Sequence, residues 1–266
     1  MAFASAITSS DAIERCFHEL RRRDRRALVC YLTAGHPDPA RSLELLQRVA
    51  AAGADIIEVG VPFSDPMADG PVIQASSQSA LEHGMRYDRV LELIARAALG
   101  VPVVLFSYLN PLMAAGADAL TRAASAGAHG VLVTDLPVGA DPDREAWLGS
   151  SPLAYIRLVA PTTPPERMAE IGSHGRGFVY LISRLGVTGV RAALSPELPG
   201  TIAALRARTA LPICVGFGIS TPEQARAVGR AADGVVVGSA LVRAAGESVE
   251  AAETLVRALR RGLDAG

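Results

Sequence analysis

The sequence predicts an α/β protein folded as a closed (β/α)8 TIM barrel, and three observations lead to that prediction. Eight short apolar runs recur along the 266 residues, each is followed by turn residues, and alanine-rich helical patterns separate them. Continuous apolar strands that alternate with helices indicate parallel pairing with both faces covered. Eight such units in this length favour a closed barrel, with an open doubly wound sheet as the structural alternative.

The eight predicted strands are short and rich in β-branched residues. From first to last they are Ala27–Leu32, Asp55–Val59, Val101–Phe106, Gly130–Val133, Ala154–Val159, Phe178–Ile182, Pro212–Val215 and Gly234–Val237. Pro102 and Pro212 are expected close to strand starts, where a missing backbone N–H does least harm.

Capping side chains followed by proline predict where several helices begin. They occur in the pairs Asp38-Pro39, Thr163-Pro164, Ser195-Pro196 and Thr221-Pro222. Glu166 and Gln224 stand at the expected third helical positions, which predicts two capping boxes. An extra N-terminal helix over Asp11–Arg23 is expected to close the bottom of the barrel. Because no flexible linker or charge block divides the chain, residues 1–266 are predicted to form one domain.

Composition excludes several classes of chemistry. Hydrophobic residues make up 50% of the chain and the mean hydropathy is +0.27, which indicates a globular fold with a sizeable core. The chain contains no lysine, so all 26 basic residues are arginine. That absence argues against a Schiff-base aldolase, a P-loop enzyme and an enzyme that holds pyridoxal phosphate through its own lysine. The net charge of −1 leaves no excess of positive charge for binding nucleic acid or an anionic membrane.

Cysteine and histidine usage argues against disulfides and metal ligation. The three cysteines, Cys16, Cys30 and Cys214, stand singly, and this sparse odd count suits a reducing cytosol. The first residues do not read as a secretory signal, so a cytoplasmic protein is expected. The five histidines show neither HxH nor HExxH spacing, and no metal site is predicted.

Two carboxylates are candidates for proton transfer. Glu58 ends the second strand among isoleucine and valine, where desolvation should raise its pKa; a structural carboxylate paired with arginine is the alternative. The proline-rich loop that follows is expected to present Asp69 opposite Glu58. Two carboxylates in different environments can divide the work, one moving protons while the other stays ionised.

Glycines after the last two predicted strands suggest a phosphate site. The segments are Gly216–Ser220 and Gly238–Ala240, and glycines there let backbone N–H groups approach an anion. Either motif alone could be a packing turn, whereas the two together favour phosphate binding. Ser183–Gly189, after the sixth strand, has two glycines that could hinge a lid, with an ordinary flexible loop as the alternative.

Four motifs resemble the tryptophan synthase alpha chain family. They are YLTAGHPD at Tyr31–Asp38, EVGVPFSDPMADGPVIQ at Glu58–Gln74, SRLGVTG at Ser183–Gly189 and VGFGIS at Val215–Ser220. The resemblance implies a barrel that cleaves indole-3-glycerol phosphate to indole and glyceraldehyde 3-phosphate in L-tryptophan biosynthesis. It also implies a beta chain partner in an alpha2beta2 tetramer, with pyridoxal phosphate only in the beta chain and no cofactor in this chain.

Matched motif by motif, the resemblance implies roles for ten residues. The catalytic pair is Glu58 and Asp69. The substrate-binding residues are Tyr108, Tyr180, Thr188, Gly189, Phe217, Gly218, Gly238 and Ser239.

The absence of lysine agrees with this resemblance. Carbon–carbon cleavage needs an electron sink, and the indole ring can act as one after protonation at C3. We expect Glu58 to deliver that proton and ionised Asp69 to accept the indole N–H. Three alternatives are a lyase that acts without a beta chain, a catalytically silent activating subunit, and a sugar-phosphate isomerase or epimerase.

Overall fold

The structure is a computed structural model that describes residues 11–182, 197–216 and 218–266. Eight parallel strands close into a barrel in chain order, with each strand paired to its sequence neighbours and β8 paired to β1. This confirms the (β/α)8 TIM barrel. The strands are β1 (Ala27–Thr33), β2 (Ile56–Gly60), β3 (Val103–Ser107), β4 (Gly130–Val133), β5 (Ala154–Val159), β6 (Val179–Ile182), β7 (Ile213–Gly216) and β8 (Gly234–Val237).

The predicted strand ends differ from the observed ends by at most two residues. Pro102 and Pro212 each lie one position before the first residue of a strand, as their missing N–H groups predicted.

Twelve helices are observed in the described residues. They are α1 (Asp11–Arg22), α2 (Pro39–Ala51), α3 (Pro71–Glu82), α4 (Tyr87–Ala97), α5 (Leu109–Ala114), α6 (Ala119–Ser125), α7 (Pro142–Gly149), α8 (Pro165–Ser173), α9 (Leu198–Arg206), α10 (Pro222–Gly229), α11 (Ser239–Glu247) and α12 (Val249–Asp264). No helix in these ranges is long and apolar enough to cross a membrane.

The N-terminal helix α1 closes the bottom of the barrel, as predicted. Its Ile13 is fully buried, and a Cβ atom added to Gly130 at the start of β4 would lie 2.8 Å from the Ile13 side chain. Phe17, one turn later, packs on Phe178 with 5.7 Å between ring centroids. The opposite end of the barrel, where the strands terminate, is therefore the end left for a site.

Two of the predicted helix starts are confirmed. The side chain of Asp38 accepts hydrogen bonds from the first-turn N–H groups of Ala40 and Arg41. Thr221 and Gln224 form the predicted capping box at the start of α10. The Ser195-Pro196 pair lies outside the described residues.

The predicted capping box at Thr163 and Glu166 is wrong. Pro164 is followed by Pro165, and the residue before a proline is forced away from helical backbone angles. Pro164 accordingly has ψ 155°, so α8 begins one residue later than expected and has no side-chain cap. The Thr163 hydroxyl instead accepts a hydrogen bond from the Ala160 N–H, 3.1 Å away, in the turn after β5.

Candidate active site

A pocket opens at the carboxyl ends of the strands and contains both predicted carboxylates. Glu58 from β2 and Asp69 from the following loop line it together with Tyr180 from β6. Gly218, Gly238 and Ser239 line the same pocket. The structure thus brings six of the ten predicted residues into one site.

Glu58 is a buried acid that has no counter-ion among the residues that the structure describes. Strand alternation turns Ile57 and Val59 toward the helices and Glu58 toward the barrel interior, where its residue is 1% exposed. Its Oε1 atom has no hydrogen-bond partner among the described residues. Burial raises the pKa of Glu58 to about 8. At neutral pH the side chain therefore holds a proton that it can donate, and the predicted alternative, pairing with arginine, is not observed within the described part of the chain.

Asp69 lies in a different electrostatic environment. Burial raises its pKa to about 6, against a hydrogen bond from Tyr108 that lowers it. The Tyr108 hydroxyl donates to Oδ2 of Asp69 at 3.0 Å and accepts the Ala68 N–H at 2.9 Å. Gln74 of α3 also holds the loop, since its side-chain amide donates to the Asp69 carbonyl at 2.8 Å. Asp69 is therefore mostly ionised at neutral pH while Glu58 is mostly protonated.

Glycines at two strand ends make room for tyrosine rings. A Cβ atom added to Gly216, the last residue of β7, would lie 2.1 Å from the hydroxyl oxygen of Tyr180. The same 2.1 Å separation would hold between a Cβ on Gly60, which ends β2, and the hydroxyl oxygen of Tyr31. Both phenols consequently stand against backbone at the edge of the pocket.

The glycine motifs form the other end of the pocket. Gly218 has φ +85°, a left-handed conformation that favours glycine. Helix α11 begins at Ser239 without a side-chain cap. The first N–H groups of a helix lack intrahelical partners, so an uncapped start suits an anion.

The other predicted site residues fall into two groups. Tyr108 reaches the site through its hydrogen bond to Asp69, although it does not line the pocket itself. Thr188, Gly189 and Phe217 lie outside the described residues, as does the predicted lid at Ser183–Gly189.

Sequence reasoning missed several residues of this pocket. Its apolar wall is formed by Tyr31, Val72, Ile73, Phe106 and Ile219. Phe106 could have been found from strand alternation, because it lies two residues after the inward-facing Val104. Arg243 also lines the pocket, and helical periodicity could have found it, because it lies one turn after Ser239. Tyr31 could likewise have been found from strand alternation, because it lies two residues after the inward-facing Val29, whereas its position opposite Glu58 depends on the β1–β2 register.

The five histidines do not line this pocket. Nδ1 of His129 accepts the Val103 N–H at 3.1 Å on the far side of the barrel from the strand ends. The described residues contain no group of three His, Cys, Asp or Glu side chains that could hold a metal ion.

The pocket joins an acid, a carboxylate of lower pKa, an apolar wall and an uncapped helix start. These features define a (β/α)8-barrel enzyme for a phosphorylated substrate with an apolar portion. A sequence model of the family described as "Tryptophan synthase alpha chain" matches residues 17–263. The chain belongs to the tryptophan synthase alpha chain family, whose members are lyases that cleave indole-3-glycerol phosphate to indole and glyceraldehyde 3-phosphate.

Individual relatives agree with this assignment. The tryptophan synthase alpha chain of Desulfatibacillum aliphaticivorans is 45% identical over 241 residues, which cover 90% of this chain and 91% of the relative. That of Synechococcus elongatus is 45% identical over 258 residues, covering 95% and 97%.

Solved structures show the same similarity. A chain of Mycobacterium tuberculosis tryptophan synthase superposes with a TM-score of 0.89 at 36% identity, covering 96% of this chain and 98% of that one. The alpha subunit of Legionella pneumophila tryptophan synthase gives 0.87 at 35% identity, covering 98% and 100%. The chain is therefore a carbon–carbon lyase with the role of the alpha subunit in tryptophan biosynthesis.

Proposed function

We propose that Glu58 and Asp69 divide the proton transfers of indole-3-glycerol phosphate cleavage between them. The observation that carries this proposal is that the two carboxylates line one pocket in different environments, Glu58 fully buried and Asp69 hydrogen-bonded to Tyr108. Their pKa values differ accordingly, about 8 for Glu58 and about 6 for Asp69. One group then enters the reaction as an acid and the other as an anion at the same pH.

The steps balance without an external reactant. Protonated Glu58 transfers its proton to C3 of the indole, which places a positive charge on the ring nitrogen. Ionised Asp69 accepts the ring N–H and stabilises that charge. The Glu58 carboxylate then takes the proton of the side-chain hydroxyl next to the bond, the carbon–carbon electron pair moves into the ring, and indole and glyceraldehyde 3-phosphate separate. Glu58 ends the cycle protonated again.

The substrate's two ends match the two ends of the pocket. Phe106 and Ile73 offer apolar contact for the indole ring, and the uncapped start of α11 beside Gly238 offers N–H groups to the phosphate. In this mechanism Tyr108 orients Asp69, and Tyr180 contacts the substrate beside Glu58. Gly189 and Phe217 are proposed as further phosphate contacts and Thr188 as a further substrate-binding residue, on the motif resemblance alone.

The test is the production of indole by the purified chain and two variants. Glu58→Gln and Asp69→Asn should each lose roughly 100- to 10,000-fold in kcat, the usual contribution of a positioned acid or base, while glycerol 3-phosphate still binds. Glu44→Gln, on the exposed face of α2, is the matched control. Full activity in Glu58→Gln would refute the division of labour, and ribulose phosphate turnover without indole would favour the isomerase alternative.

The partner in this family is a beta chain, which carries the pyridoxal phosphate. We propose that this chain cleaves its substrate without a bound cofactor and assembles with a beta chain as an alpha2beta2 tetramer in the cytoplasm. The unpaired state of Cys16, Cys30 and Cys214 fits a reducing compartment.

Mixing the purified chain with a beta chain and measuring mass and indole formation tests the assembly. A complex of two chains of each kind with faster cleavage is expected. If no complex forms and the chain alone still produces indole, the lyase that acts without a beta chain is favoured. If no indole forms either with or without the beta chain, the silent subunit is favoured.

A further inference from the structure

Arg243 is the cation among the pocket residues that the structure describes. Among the described lining residues the charged side chains are Glu58, Asp69 and Arg243. A phosphate dianion that enters this pocket is repelled by ionised Asp69. A positive charge on the pocket wall offsets that repulsion and favours binding of the anion.

The position of Arg243 directs its side chain toward the anion-binding end. It lies four residues after Ser239 on α11, and residues spaced by four share one face of a helix. Helical side chains also lean toward the N-terminus of their helix, here the turn that contains Gly238 and Ser239. The guanidinium and the uncapped N–H groups therefore face the same region of the pocket.

The Arg243 guanidinium also has no competing partner in the described part of the chain. Within the described ranges Arg243 makes no ion pair or hydrogen bond, whereas Arg157 pairs with Glu145 at 2.7 Å and Arg260 with Asp55 at 2.8 Å. Its side chain is exposed, so it sits at the mouth where the ligand enters.

We propose that Arg243 binds the substrate's phosphate and selects phosphorylated over unphosphorylated ligands. The inference rests on the proposed function for the identity of the substrate. A guanidinium donates two parallel N–H groups to phosphate oxygens, a geometry that an ammonium does not reproduce. The helix start supplies backbone donors on one side of the phosphate, and Arg243 supplies the compensating charge on the other.

The experiment measures glycerol 3-phosphate binding to the full chain by calorimetry. Arg243→Gln should weaken that binding about fivefold, and Arg243→Lys by less, because a charge pair at an exposed position contributes up to about this factor. The weakening should shrink as salt is added. Indole, which has no phosphate, should bind the variants with the same affinity as the wild-type chain. With indole-3-glycerol phosphate the KM should rise more than kcat falls.

Arg230→Gln is the matched control, since Arg230 is exposed at the C-terminal end of α10, on the opposite side of the barrel from the pocket. Unchanged glycerol 3-phosphate affinity in a folded Arg243→Gln chain would overturn the inference and leave the proposed function standing. The opposite pattern is also distinguishable. Weaker glycerol 3-phosphate binding by Arg243→Gln, together with a wild-type chain that forms no indole, would support the Arg243 site and refute the proposed function.

Discussion

The Tyr108 hydroxyl donates a hydrogen bond to Oδ2 of Asp69 across 3.0 Å, and this contact joins the loop after β2 to the end of β3. The same oxygen accepts the N–H of Ala68, so one phenol holds both the backbone and the side chain of the Asp69 turn. The contact also lowers the pKa of Asp69, against the burial that raises it. Tyr108 thus affects both the position and the charge of the Asp69 carboxylate.

Tyr108→Phe should move the acid limb of the pH profile upward. The wild-type kcat/KM for indole formation should be bell-shaped, with limbs near the pKa of Asp69, about 6, and that of Glu58, about 8. Removing the hydroxyl removes the hydrogen bond that favours ionised Asp69, so the lower limb should rise by about one pH unit. Tyr87→Phe, which removes a hydroxyl that donates to the Ala119 carbonyl away from the pocket, is the control. Superimposed profiles for Tyr108→Phe and wild type would contradict the coupling.

Glu58→Gln should stabilise the fold more at pH 8 than at pH 5. The folded-state pKa of Glu58, about 8, lies above its ordinary value of 4.5, so the native state binds a proton that the unfolded chain releases. The stability from that proton is complete below pH 4.5 and is lost as the pH rises toward 8. Glutamine removes this loss, which amounts to a few kcal/mol by the rule of ~1.4 kcal/mol per pKa unit. Thermal unfolding at the two pH values measures it, and an equal effect at both would show that Glu58 is not buried in its neutral form.

Gly216→Ala should destabilise the barrel and reduce cleavage. Its new methyl group would lie 2.1 Å from the Tyr180 hydroxyl oxygen, so the ring must move. Overpacking of this kind costs about 1–3 kcal/mol, which thermal unfolding would detect. Gly149→Ala is the control, because a Cβ there meets nothing within 4 Å. A normal melting temperature with normal indole formation in Gly216→Ala would show that the Tyr180 ring position is not required.

Glu145→Gln should lower the melting temperature more than the loss of an exposed charge does. Arg157 on β5 pairs with Glu145 on α7 at 2.7 Å, with side chains 3% and 10% exposed. Removing the carboxylate leaves a buried guanidinium without its counter-charge, a loss of about 3–5 kcal/mol. Arg22→Gln, from an exposed pair on α1, should change the melting temperature little. Equal melting temperatures for the two variants would mean that water reaches Arg157.

Much of this molecule was predictable from the order of its residues. The eight apolar runs and their helical separators predict the barrel, because apolar residues continuous along a strand require cover on both faces. The specific loop after β2 pointed to Asp69, and the neighbours of Glu58 in the chain pointed to its burial. Local rules failed where two of them met: Pro164 was predicted to be the first residue of α8 after the capping Thr163, and the proline that follows it keeps it out of the helix.

The sequence alone determined that apolar strands alternate with helices, and hence the barrel. Its motifs also identified the acidic pair and the glycines of the phosphate end. Only the tertiary structure decided that Tyr108 touches Asp69, that Tyr31 stands opposite Glu58, and that Arg243 shares their pocket. The reason is physical: those contacts depend on how strands are registered around a closed sheet and on how deeply each group is buried. Spacing along a chain specifies neither.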